Sequence, residues 1–193
     1  MSLKESRFRG TERQRYDFSC GAAAVATLLE SHYERPTDEA EVFEDMFKTG
    51  DRAKIAKIGF SLLDMKRFLV SRGYRAEGFR ISLDEITEAR LPVIALLNVR
   101  NYKHFVVVKG VSDDRVLIGD PAFGTRVMSK ADFEAARGPF MLVVRNHREV
   151  AARHFETTEP FALVPDAPLE FERGRPGTSS ADPFLASPTG LEF

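Results

Sequence analysis

Gln14-Arg15-Tyr16-Asp17-Phe18-Ser19-Cys20-Gly21-Ala22-Ala23-Ala24 is the stretch on which the rest of the chain depends. It holds the only cysteine of 193 residues, and a polar loop passes there straight into an Ala-rich apolar run that continues to Leu29. Ala22, Ala23, Ala24, Val25, Ala26, Leu28 and Leu29 leave almost no polar face, which predicts a buried helix. That helix is expected from Cys20 to about Glu30 or His32, with Ser19 or Asp17 as its cap. A cysteine in the first helical turn sits where the dipole and the free N–H groups favour a thiolate. A lone cysteine beside an apolar helix is more often a small core residue. The nucleophile reading therefore needs partners elsewhere in the chain.

Outward on the N-terminal side, Met1-Ser2-Leu3 shows no charged segment followed by an apolar one. Met-Ser-Leu also has the form of an expression-derived start that replaces a native leader. The compartment is thus open: exported to a bacterial periplasm if a leader has been removed, cytoplasmic otherwise. On the C-terminal side, Pro36-Thr37 is expected to open a second helix carrying Val42, Phe43, Met46 and Phe47. Ser61 with Asp64 and Ser82 with Glu85 read as capping boxes of two more helices, and Gly73 as a C-cap glycine. His32, near a helix end, is expected to face solvent.

From Tyr74 the pattern turns to strands. Tyr74–Phe79, Val93–Leu97, Phe105–Val108, Val116–Ile118, Arg126–Met128 and Met141–Val144 are β-branched or apolar runs separated by turn residues. A helix over about Lys130–Ala136 interrupts them. Helices first and closely spaced strands second predict an α+β class. The domain is expected over 1–148. Residues 149–193 read as a Pro-rich acidic tail, flexible or docked on the core or on a neighbour, so a homodimer joined through this tail is one arrangement it allows.

Composition narrows the functional classes. A formal net charge of −1 argues against electrostatic binding to nucleic acid or anionic membrane. No apolar run reaches the roughly 18 residues of a membrane span. One cysteine excludes an intramolecular disulfide and a Cys-based zinc site, and no metal, nucleotide or other cofactor motif is expected.

Hairpin arithmetic supplies the partners. With Ser112-Asp113-Asp114 as the turn, antiparallel pairing sets His104 opposite or nearly opposite Asp120, on one face of the sheet. A carboxylate beside an imidazole orients the ring and sets its tautomer. Cys20 and His104 are then expected to rest as a thiolate–imidazolium pair, the thiolate attacking a carbonyl and His104 protonating the leaving amine. The backbone N–H of Cys20 and the amide of Gln14 are the expected oxyanion donors.

Gln14-x5-Cys20-Gly21, His104-Phe105-Val106-Val107 and Asp120-Pro121-Ala122 resemble the double-glycine leader peptidases, papain-like cysteine peptidases that process bacteriocin leaders. The resemblance covers roughly residues 12–146. It implies a papain-like fold with the nucleophile on a central helix packed against an antiparallel sheet. It also implies Cys20 as nucleophile, His104 as base and acid, Asp120 as orienting residue and Gln14 as oxyanion donor. The expected substrate is a peptide or protein with a Gly-Gly-type leader, destined for an export system. Ser19 stands where transporter-linked members have Asp, and no G-x-x-x-x-G-K-[ST] loop is present, so the free-standing members are the better comparison. Other thiol acyl transfer on the same scaffold, amide hydrolysis included, and a leader-binding module without cleavage are the alternatives.

Overall fold

A computed structural model gives the fold and describes residues 8, 10–15, 19–99 and 102–156. Four helices come first: α1 (Cys20–Tyr33), α2 (Glu39–Thr49), α3 (Arg52–Ile58) and α4 (Leu62–Ser71). Then follow β1 (Ala76–Phe79), α5 (Leu83–Ala89), β2 (Val93–Val99), β3 (Tyr102–Val111), β4 (Arg115–Asp120), β5 (Gly124–Ser129), α6 (Lys130–Ala136), β6 (Arg137–Val144) and α7 (Arg148–Arg153). The strands form one antiparallel sheet in the order β1-β6-β2-β3-β4-β5. The class is α+β, as the sequence predicts.

Both faces of the sheet are covered, which is why its strands are apolar at successive positions. Phe105 and Val107 of β3 share one core with α1, α2 and α4, where Ala24, Leu28, Met46 and Met65 are buried. Val106 and Val108 point into a second core with Leu83 and Ile86 of α5 and Phe133 of α6. α1 is buried along nearly its whole length and packs on β3, β2 and β4. The helix bearing Cys20 is therefore the central element between the helical layer and the sheet.

Local rules account for most boundaries. Both capping boxes form, and Gly73 takes φ +86° just past α4. α2 starts three residues later than expected, because the Asp38 side chain accepts from the Ala40 N–H and acts as the cap. α3 was not foreseen: Ile55 is its only buried residue, too little for an apolar stripe. Ser19 occupies the cap position of α1 without a side-chain cap bond, and Asp17 lies outside the described residues.

His32 corrects its expectation. It is 1% exposed rather than solvent-facing. Neither ring nitrogen has a hydrogen-bond partner among the described residues. Burial, with the charges of Lys109 and His154, drives its pKa down to about 3. It sits on the buried side of the last turn of α1, where the helix packs against its neighbours.

The β3–β4 hairpin also departs from its expected register. The turn is tighter, with Ser112 N–H bonded to the Arg115 carbonyl around Asp113-Asp114. Val111 faces Val116 and Gly110 faces Leu117, then a bulge at Lys109 shifts the register so that Val108 faces Ile118 and Val107 faces Gly119. Continued outward, that register sets Asp120 against Val106, so His104 is its diagonal neighbour. Diagonal pairs remain on one face and within reach of long side chains.

Beyond the expected boundary at 148, α7 packs on α1 and Phe155 is buried in the second core. The bulge leaves the Lys109 carbonyl and Val111 N–H to be satisfied by Glu156 N–H at 3.0 Å and Glu156 carbonyl at 3.1 Å. Residues 157–193, including most of the expected tail, lie outside the described residues. A Cβ at Gly110 would lie 2.2 Å from the Glu156 carbonyl oxygen. Gly110→Ala is expected to unseat Phe155 and to destabilise the domain by about 2–3 kcal/mol. Thermal unfolding checks this, and an unchanged Tm would contradict it.

Candidate active site

Residues 10–14 form a strap that laces α1 to the sheet. The Gly10 carbonyl accepts from Ser31 Oγ at 2.7 Å and from Lys109 Nζ at 2.5 Å. Thr11 Oγ1 lies 2.7 Å from Thr125 Oγ1, and Glu12 N–H donates to Thr27 Oγ1 at 2.8 Å. Gly119 lets the strap pass, since a Cβ there would sit 3.0 Å from Thr11 Oγ1. The strap ends with Gln14 N–H donating to the Pro121 carbonyl at 3.1 Å. Gln14 is thereby tied to the residue that follows Asp120. Its amide oxygen is buried without a partner among the described residues.

Cys20 opens α1 and is 9% exposed. Gly21 lets the helix start press onto Phe60 and Phe105, since a Cβ there would lie 3.0 Å from Phe60 Cβ. Burial pushes the Cys20 thiol above its ordinary value. Hydrogen bonding from the Phe105 and Gly21 backbone opposes this, the Asp120 charge adds to it, and Cys20's own N–H opposes it. Desolvation thus outweighs the helix terminus and works against the resting thiolate expected from the sequence. The Phe105 backbone at the sulfur also shows that the two halves of the chain meet beside His104.

His104 and Asp120 are 3% and 0% exposed, and His104 Nε2 lies 2.9 Å from Asp120 Oδ2. Burial works to raise the Asp120 carboxyl, but the hydrogen bond and charge of His104, the charge of Arg126 and the Ala122 N–H together hold it below the ordinary carboxylate value. Asp120 is therefore the acceptor and Nε2–H the donor. His104 Nδ1 is buried and has no partner among the described residues.

Arg126 was not foreseen in the sequence. Its Nη2 donates to Asp120 Oδ2 at 2.6 Å, and its guanidinium lies 5.1 Å from the Phe123 ring centroid. The signal was available: β4 and β5 pair through Asp120↔Gly124 and Ile118↔Arg126, which makes Arg126 a diagonal neighbour of Asp120. Thr11, Thr27 and Thr125 carry no comparable signal. Among the described residues no cluster of His, Cys, Asp and Glu could hold a metal ion, and no helix is long and apolar enough to cross a membrane.

Two curated relatives are each called a probable functional amyloid protease FapD. The one from Pseudomonas fluorescens is 44% identical over 134 residues, covering 69% of this chain and 59% of the relative. The one from Pseudomonas aeruginosa is 42% identical over 132 residues, covering 68% and 58%. The chain thus spans about three fifths of the length of these relatives. Among solved structures, a double glycine motif protease from an AMS/PCAT transporter, in complex with the leader peptide, superposes with a TM-score of 0.56. That likeness, at 24% identity over 72% of this chain and 94% of the other, is one of fold: papain-like, with a helical layer against an antiparallel sheet. The model of the peptidase C39 family matches residues 10–149, and the chain belongs to that family.

Proposed function

We propose that this chain is a cysteine peptidase that cuts an exported peptide or protein behind a Gly-Gly-type leader. The observation that carries the reading is the His104 ring, held at Nε2 by Asp120 with Nδ1 unpartnered among the described residues, one residue from the backbone that contacts the Cys20 sulfur. In this reading Nδ1 takes the thiol proton as the sulfur attacks the scissile carbonyl carbon. The oxyanion accepts from the Cys20 N–H and the Gln14 amide. The tetrahedral adduct collapses, the C–N bond breaks, and the leaving amine takes the proton from His104. Water then adds to the thioester with His104 as base, releasing the carboxylic acid and restoring the thiol.

The double-glycine protease of like fold supports a leader as the recognised element. The name of the Pseudomonas relatives favours a second substrate, a component of a functional amyloid. Synthetic peptides of both kinds, followed by mass spectrometry, separate them. Cleavage immediately after Gly-Gly is the expected result with the wild-type chain, and none with Cys20→Ala. Cleavage that persists in Cys20→Ala overturns the peptidase assignment.

A further inference from the structure

Asp120 has more donors than orientation requires. Oδ1 accepts from the Ala122 and Phe123 N–H groups at 2.9 and 3.3 Å, and Oδ2 from His104. Those three bonds already fix the carboxylate plane and aim it at the imidazole. Arg126 adds a fourth bond, the shortest, on the oxygen His104 already uses. Arg126 is itself largely buried, and its Nε has no partner among the described residues. A side chain placed there only for its hydrogen bonds is poorly placed. What it supplies is a fixed positive charge, always protonated, beside a fully buried negative one.

We propose that Arg126 is a positioning residue that sets the charge of the candidate site, offsetting the Asp120 carboxylate so that Cys20 and His104 sit beside a neutral pair instead of a bare anion. The inference rests on the peptidase reading of the same residues. Among the described residues, the charged and titratable groups at the site are Cys20 from α1, His104 and Tyr102 from β3, Asp120 from β4 and Arg126 from β5. The Asp120 charge disfavours a thiolate at Cys20, and Arg126, 2.6 Å from the same carboxylate, sets an opposite charge against it at low dielectric. Removing the cation makes every neighbouring group hold its proton more tightly. Both limbs of a pH–activity profile then move the same way, towards higher pH. A merely structural loss lowers the profile without moving it.

The test is alkylation of Cys20 by iodoacetamide against pH, in the full chain, with folding checked by circular dichroism. Arg126→Gln is expected to move the alkylation midpoint, and both limbs of kcat/KM, upward by about one pH unit. Arg126→Lys keeps the charge and is expected to leave the midpoint in place. Asp120→Asn, which leaves Arg126 uncompensated, is expected to move it downward. A folded Arg126→Gln with an unmoved or lowered midpoint overturns the proposal. Should that variant not fold, a one-unit shift in Arg126→Lys, or an unmoved midpoint in Asp120→Asn, overturns it equally. Alkylation needs no substrate, so these shifts are read whether or not a leader peptide is cut.

Discussion

His104→Ala is expected to lower kcat/KM on a cleaved leader peptide by about a thousandfold to ten-thousandfold. The size follows from the structure. Cys20 is buried, and desolvation holds its thiol above the ordinary value, so the free protein offers little thiolate at neutral pH. In the proposed mechanism the proton moves during the attack, and His104 Nδ1, buried and without a partner among the described residues, takes it. Without it the leaving amine also departs unprotonated. Gln14→Ala is expected to cost less, about a hundredfold, because in the proposed mechanism the Cys20 N–H still donates to the oxyanion. Steady-state kinetics with folded variants checks both. A His104→Ala enzyme within tenfold of wild type would remove His104 from the mechanism and leave Asp120 and Arg126 as a structural ion pair.

The second large effect is on stability in acid and comes from His32. Its folded pKa is about 3 against 6.5 unperturbed, so the unfolded chain binds the proton more readily. A group depressed in the fold contributes stability that is present above pH 6.5 and is lost as pH falls towards 3. The slope approaches about 1.4 kcal/mol per pH unit, so between pH 6.5 and 4.5 the domain should lose about 2–3 kcal/mol. Asp120 titrates below this window: its stabilisation is present above 3.8 and is lost only as pH falls further. His32→Leu removes the titration and two nitrogens without partners among the described residues from a packed site. Urea unfolding at pH 7 and pH 4.5 is expected to show the difference shrink in His32→Leu. If the variant keeps the wild-type slope, another group carries it.

How far the sequence was legible differs between elements. The capping boxes at Ser61 and Ser82 were readable because a cap is a contact between residues three apart. The strands were readable because β-branched runs between turn residues have few other solutions. α3 was not, since its burial rests on Ile55 alone, and His32 was not, since a helix end in sequence carries no information on what covers it.

The candidate site divides the same way. The sequence by itself determined the α+β order, the apolar helix that begins at Cys20, and the meeting of His104 and Asp120 at the open end of one hairpin. Spacing alone determines these, because helix and strand periods are local. Only the tertiary structure decided the rest: the bulge at Lys109 that makes the His104–Asp120 contact diagonal, the strap that ties Gln14 to Pro121, the burial that lifts the Cys20 thiol, and Arg126 on the Asp120 carboxylate. Each of these depends on what packs from another element. Desolvation and charge pairing are set by that packing and not by distance along the chain.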